Sequence, residues 1–268
     1  MIDLKPLPME EAQQFWRGKV PVSPGEFARL SDAEKLRAFS VAGIAKGDEL
    51  TTVMQAIQKA IDEGTTLEDF KRDCADIFEK RGWTGKKAWR IDNIFRTNIQ
   101  TAYNVGRYKQ MMAVKDLRPY WRYSAINDSR TRPTHAALNG KVFPADDPFW
   151  NTWYPPNGFR CRCGVTTLSE REMRREGLTA ETEDPTGKMI EPVNPKTGEK
   201  MPPRQLMPDQ GFAHNPGKDV WGGLVDAAKQ PGNWQTVPGQ KTAAQYKRKP
   251  LRSRATAAFA EVSRRTEF

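Results

Sequence analysis

The sequence predicts an α+β protein. It has an N-terminal helical base with one long helix, a small α+β module bearing a D-x-x-x-R-x-x-H…C-x-C pattern, and an extended Pro-rich and basic C-terminal arm. Three observations predict this. Apolar residues recur at helical spacing from Ser31 to about Lys115. Short alternating runs bounded by Gly and Pro follow, between Tyr120 and Leu168. Beyond Ala180, Pro, Gly and Lys displace both patterns, which leaves little apolar surface to bury.

Residues 1–30 read as an arm, punctuated by Pro6, Pro8, Pro21 and Pro24, with one short amphipathic helix over Met9–Gly18. The helical base spans 31–118. Ser31-Asp32-Ala33-Glu34 is a capping box, and Leu36, Phe39, Val41 and Ile44 continue a helix to Gly47. A second helix over 48–63 places Leu50, Val53, Met54, Ile57 and Ile61 on one face. A third runs from Thr66 to Gly82, with Leu67, Phe70, Cys74, Ile77 and Phe78 inward, so Cys74 reads as a small core residue. The fourth, from about Gly85 to Lys115, would reach roughly 45 Å and serve as a spine. Its other face, with Arg90, Arg96, Asn98, Arg107 and Lys109, reads as solvated.

Pro119 ends the base. The module over 119–180 has strands at 120–125, 141–143 and 164–168, then a short helix, 170–176, capped by Ser169. Residues 181–240 form a Pro-rich arm or linker in which Trp221 and Leu224 anchor a short helix. Residues 241–268 form a basic tail.

Composition narrows the function. The net charge of +10 and pI of about 9.5 favour a polyanionic partner, foremost double-stranded DNA. The tail alone holds eight Lys/Arg against two Glu, which makes Lys247, Arg248, Lys249, Arg252, Arg254, Arg264 and Arg265 the candidates for DNA contact. No run approaches the roughly 18 apolar residues of a membrane span, so no membrane partner is expected. The start, M-I-D-L-K-P-L-P, has no apolar signal core, so secretion by that route is not expected. Three cysteines do not make a disulfide scaffold, which suits a reducing cytoplasm.

Chemistry-bearing residues gather between Tyr120 and Leu168. Asp128, His135, Cys161 and Cys163 are candidate ligands for one structural zinc ion, because thiolates and imidazole at close spacing suit that metal. Glycines at 158 and 164 would let the chain bend around an ion. The alternative is a reduced Cys pair beneath Trp150, Trp153 and Phe159, with His135 hydrogen-bonded nearby. Asp128-Ser129-Arg130 fits an Asx turn, and Arg130 and Arg132 read as partners of buried carboxylates or as an anion clamp. Catalysis is less supported. A Cys–His nucleophile pair is conceivable, but its setting has no nucleophile signature. Glu170 and Glu172 sit at a helix start, where acids favour the dipole.

D-S-R-T-R-P-T-H-A-A-L-N-G-K-V-F, followed by P-P-N-G-F-R-C-R-C-G-V, resembles the phage Mu F-like minor head proteins, also called phage head morphogenesis proteins. The matching positions are Asp128, Arg132, His135, Gly140, Pro155, Pro156, Gly158, Cys161, Arg162 and Cys163. R-T-N-I-Q-T-A-Y-N-V-G-R, from Arg96 to Arg107, resembles the family's preceding helix, with Asn98 where glutamate is common. G-F-A-H-N-P-G resembles a later family motif. The resemblance covers about residues 85–220. It implies a minor capsid component inside the virion near the portal, assembled in the host cytoplasm, with portal, scaffold or major capsid protein as partner. It implies no known enzymatic reaction. The alternative is an effector injected with the DNA, a nuclease or transferase using the His/Cys cluster.

Overall fold

Capping chemistry sets where several helices begin. Ser23, Ser31, Thr66 and Ser169 each accept from the backbone N–H three residues on, and the acid at that position bonds back to the cap's own N–H. The computed structural model describes residues 9–194 and 196–228. The tail candidates from Lys247 to Arg265 lie outside the described residues. Helix and sheet are mixed, as an α+β class requires.

The N-terminal elements are α1 (Glu10–Arg17), β1 (Val20–Pro21), α2 (Pro24–Phe27), α3 (Asp32–Lys35) and β2 (Ala38–Phe39). The helix expected over 31–47 is therefore a single turn. Its would-be continuation pairs with β1 in parallel. The reason lies in the carbonyls. Lys19 Nζ donates to Leu36 O at 2.7 Å and Ala38 O at 3.2 Å, and the N–H groups of Val20 and Val22 take those of Arg37 and Phe39. No helix can use acceptors already taken. Phe39, Val41 and Ile44 still reach the core, from an extended segment.

α4 (Gly47–Glu63) matches its expectation and ends at Gly64 in the left-handed region, φ 73°. The third expected helix is two, α5 (Leu67–Asp73) and α6 (Ala75–Lys80), with Cys74 at φ −116° between them. The break sets Phe70 and Phe78 5.5 Å apart and stacks Phe78 on Trp83. Cys74 is buried, and burial pushes its thiol up to about 12.

After a 3-10 turn, α7 (Trp89–Ala113) forms the spine, about 38 Å long. It carries partners around its circumference. A Cβ on Gly106 would lie 2.8 Å from the Ala12 backbone nitrogen, so α1 packs there at backbone distance. The face expected to be solvated is partly committed. Arg90 donates to Ala42 O at 2.7 Å, Arg96 pairs with Asp92, and Lys109 lies over the Trp221 ring.

The module's sheet is three antiparallel strands, with β3 (Tyr120–Ser124) between β4 (Val142–Pro144) and β5 (Gly164–Leu168). Two single turns, α8 (Pro133–Ala136) and α9 (Phe149–Trp153), join them; neither is long enough to show a period in sequence. Alternation on β3 sends Trp121 and Tyr123 inward. Trp121 meets Tyr108 of α7 edge-on at 5.8 Å, with Trp150 and Tyr154 beside it. On the other face Val142 and Leu168 pack under Met173 of α10 (Glu170–Glu176), and Arg118 and Arg122 pair with Glu172 and Glu176.

The Pro-rich stretch holds a short antiparallel pair, β6 (Met189–Ile190) and β7 (Arg204–Gln205), where irregular chain is expected. Helix α11 (Pro216–Ala228) then begins at the proline of the H-N-P-G motif. Gly217 lies so near Tyr108 that a Cβ would come within 2.3 Å of it, and Trp221 Nε1 donates to Val105 O at 3.0 Å. Among the described residues no helix is long and apolar enough to cross a membrane.

Candidate metal centre

His135 belongs to α8, where Pro133 at the first turn starts the helix and Gly140, at φ 84°, turns the chain back into β4. Cys161 and Cys163 come from the turn before β5. That turn follows the cis Pro155-Pro156 peptide and is closed by a Cys161 N–H bond to Gly158 O. Thr97 and Gln100 of α7 fix it. Thr97 Oγ1 accepts from the Arg160 N–H at 3.0 Å, and Gln100 Nε2 donates to Cys163 O at 2.9 Å.

The three side chains converge. His135 Nδ1 lies 3.7 Å from Cys161 Sγ and 3.5 Å from Cys163 Sγ. All three donor atoms fall within 4.8 Å of one another, and the residues are 2%, 3% and 3% exposed. Around a tetrahedral zinc, with Zn–S about 2.3 Å and Zn–N about 2.0–2.1 Å, an N···S edge comes to about 3.5–3.6 Å. The donor set and spacing therefore fit a borderline-soft divalent metal. Two features fit less well. No fourth Cys, His, Asp or Glu joins the group among the described residues. His135 Nε2 is buried without a hydrogen-bond partner there, whereas a metal-bound imidazole usually donates its other N–H.

The thiols are unequal. The neighbouring Cys163 thiol, with His135 and the Asn157 backbone adding to it, holds the Cys161 thiol below the usual thiol range against the effect of burial. Cys163 moves up, because its proton is engaged by Cys161 and its site is dry. Tyr123, buried behind them, has its phenol pushed up chiefly by burial and donates to Asn157 Oδ1 at 2.9 Å.

Asp128 does not join the cluster. Its carboxylate meets the Arg162 guanidinium through both oxygens, one bond at 2.8 Å, and accepts from the Arg130 backbone N–H at 3.0 Å in an Asx turn. The Arg162 bond chiefly holds this carboxyl well below the usual range. Arg130 sits 3.5 Å from the same carboxylate. Arg132 pairs with Asp209 at 2.8 Å and donates to Phe159 O at 2.9 Å. A Cβ on Gly158 would lie 2.3 Å from Asp209 Oδ2, so a larger residue there would push this carboxylate off its place beside Arg132. Trp153 faces His135 perpendicularly at 6.1 Å, but Trp150 sits with Trp121 and Phe143, and Phe159 is exposed; of the expected aromatic cover only Trp153 meets the histidine. Sequence reasoning missed Thr97, Gln100, Tyr123, Asn157 and Asp209 as supports. Thr97 and Gln100 stood in the quoted helix motif, so position within it was the available signal.

Fold and site define a small loop-rich module clamped on a long helix, with a buried Cys/His knot at its centre. Residues 51–166 match the model of the Phage Mu protein F like protein family. The chain is 37% identical over 247 residues to a candidate capsid assembly protein F of Escherichia phage Mu, covering 81% of this chain and 56% of that protein. It is 41% identical over 180 residues to the Mu-like prophage FluMu F protein of Haemophilus influenzae, covering 62% of this chain and 44% of that one. The chain thus carries the Mu F-like region, as the motifs indicated, and spans about half the length of these curated relatives. No solved structure matches it.

Proposed function

We propose that this chain is a head morphogenesis protein of a tailed phage, a minor capsid component with no catalytic role. The observation that carries this reading is the match of the motif region to Mu F-like proteins, one of them named for capsid assembly. In this reading the base (31–118) and the motif module (119–180) form the body. Helices α1 and α11 pack on its spine, so within 1–30 and 181–240 only the stretches outside them, together with 241–268, would serve as arms toward portal, scaffold or major capsid protein. The chain would act inside the capsid near the portal after assembly in the host cytoplasm, and the basic tail would meet packaged double-stranded DNA. Imaging of particles that carry a labelled copy should place it at the portal vertex inside the head. Purified particles that lack the chain, from a phage that assembles normally without it, would refute the proposal.

Burial argues against the effector-enzyme alternative. A nucleophilic cysteine needs substrate access and a base oriented by a third group. Cys161 and Cys163 are almost wholly enclosed, and His135 Nε2 has no orienting partner among the described residues.

We assign one structural zinc ion to His135, Cys161 and Cys163. Bound there, it would cross-link α8 to the turn before β5, and the three side chains would hold it with Nδ1 and two thiolates. Metal analysis of protein purified without chelator should give about one zinc per chain. The Cys161→Ser/Cys163→Ser variant should hold none. Metal-free wild-type protein would leave a packed thiol pair as the account.

A further inference from the structure

The turn that delivers Cys161 and Cys163 is held from several directions. Thr97 takes the Arg160 N–H, Arg132 takes the Phe159 carbonyl, and Asp92 pairs with Arg160 Nε at 2.6 Å. Gly158 is wedged against Asp209 and Arg132. Arg160 itself adopts φ 58°, a left-handed conformation that a non-glycine residue keeps only when its surroundings impose it. What this fixed turn presents outward is Phe159, 55% exposed and packed edge-on against Phe212 at 5.0 Å.

A lone exposed apolar side chain needs no explanation. The surroundings of Phe159 set it apart. Five arginines, Arg96, Arg130, Arg132, Arg160 and Arg162, meet three aspartates, Asp92, Asp128 and Asp209, in the ion pairs around the turn. These paired groups are thus net cationic. Their guanidiniums are already oriented by the aspartates, so little ordering is left for a partner to impose. Arg160 meets Asp92 through Nε, so its two Nη groups point to no acceptor in these pairs. Aromatic residues with arginine are the composition of protein-binding hot spots. A nucleic-acid footprint would favour cations free to neutralise phosphates.

We infer that Phe159, flanked by Arg132 and Arg160, is a docking surface for a protein partner that presents an apolar side chain between carboxylates. The inference rests on the assembly reading in taking that partner to be a protein. Otherwise it stands on the turn alone and needs no metal at His135.

The test is selection of a displayed library of random short peptides on the full chain, followed by affinity measurements on the enriched peptides. They should carry Asp or Glu beside an aromatic or aliphatic residue. They should bind Phe159→Ser about 30-fold more weakly, the loss typical of a hot spot. Phe159→Leu should recover part of that loss, and thermal melting should show all three proteins equally folded. Enriched peptides without acidic residues, or equal binding to wild type and Phe159→Ser, would overturn the inference. So would labelled DNA that binds wild type but not Phe159→Ser, which would assign the surface to nucleic acid. Self-association abolished by Phe159→Ser would assign it to a second copy instead. Particle imaging could still place the chain at the portal after any of these results, so the two proposals fail separately.

Discussion

Replacing Gly106 by alanine sets two effects against each other. In a helix interior the change favours folding by about 1 kcal/mol through backbone entropy. Against it stands the seam with α1. The new Cβ would sit 2.8 Å from the Ala12 backbone nitrogen and 3.3 Å from its Cα and Cβ. Ordinary contact would require α1 to retreat by several tenths of an ångström. That helix is anchored by buried Phe15 and Trp16, by the Trp16 Nε1 bond to Met54 O and by the Gln110–Glu11 bond. Overpacking against such a restraint costs about 1–3 kcal/mol, so the net expectation is destabilisation by about 1 kcal/mol. Gly47 is the control. It opens α4, and a Cβ there meets nothing within 4 Å. Urea unfolding of Gly106→Ala and Gly47→Ala, monitored by tryptophan fluorescence, should lower the midpoint in the first and leave it level or raised in the second. A Gly106→Ala protein as stable as wild type would refute the argument that backbone contact outweighs helix propensity at this seam.

Acid should weaken the fold through its caps and pairs. Asp69 and Glu172 are lowered to about 2, chiefly by bonds from the Thr66 and Ser169 backbone, and Asp128 is lowered by Arg162. Groups depressed on folding stabilise above their unfolded pKa, about 4, and that contribution is lost as pH falls toward the folded values. The share of the urea midpoint that these carboxylates supply should therefore be level from about pH 7 to 5 and be lost between about pH 4 and 2. Asp69→Asn/Glu172→Gln should flatten part of that fall; a profile parallel to wild type would reject the assignment. Tyr154→Phe removes a buried hydroxyl that donates to Asn104 O at 2.9 Å, and should cost about 1 kcal/mol by urea unfolding. Deleting 241–268 should abolish salt-dependent binding of the full chain to duplex DNA, measured by fluorescence anisotropy; binding that survives would move the contact elsewhere.

Long periodic stretches were legible because many residues agree on one face. Leu50, Val53, Ile57 and Ile61 could sit in nothing but a helix, and Trp121 and Tyr123 could alternate only in a strand. The stretch after Ser31 misled because its cap was real but its carbonyls were claimed by Lys19 and β1, a contact no local pattern encodes. Cys74 broke a helix whose spacing looked continuous, since the gain lay in stacking Phe78 on Trp83. At the site, residue types alone pointed to His135, Cys161 and Cys163. Asp128 has the right chemistry for a ligand, yet Arg162 claims it. Choosing between an ion and a guanidinium takes three-dimensional distances.

The commitments of α7 bear on which substitutions this helix can absorb. At about 100° per residue, Gly106 lies opposite Thr97. One side grips the C-R-C turn through Thr97 and Gln100, and the other meets α1 backbone to backbone. Val105 and Lys109, between these sides, receive Trp221. A saturation scan of this stretch would not give the usual rhythm of one sensitive position every third or fourth residue. Sensitivity should extend around the helix from Thr97 to Lys109, so neutral drift there would be slow. Sequence variation among functional versions of the chain would have to collect in the loops instead.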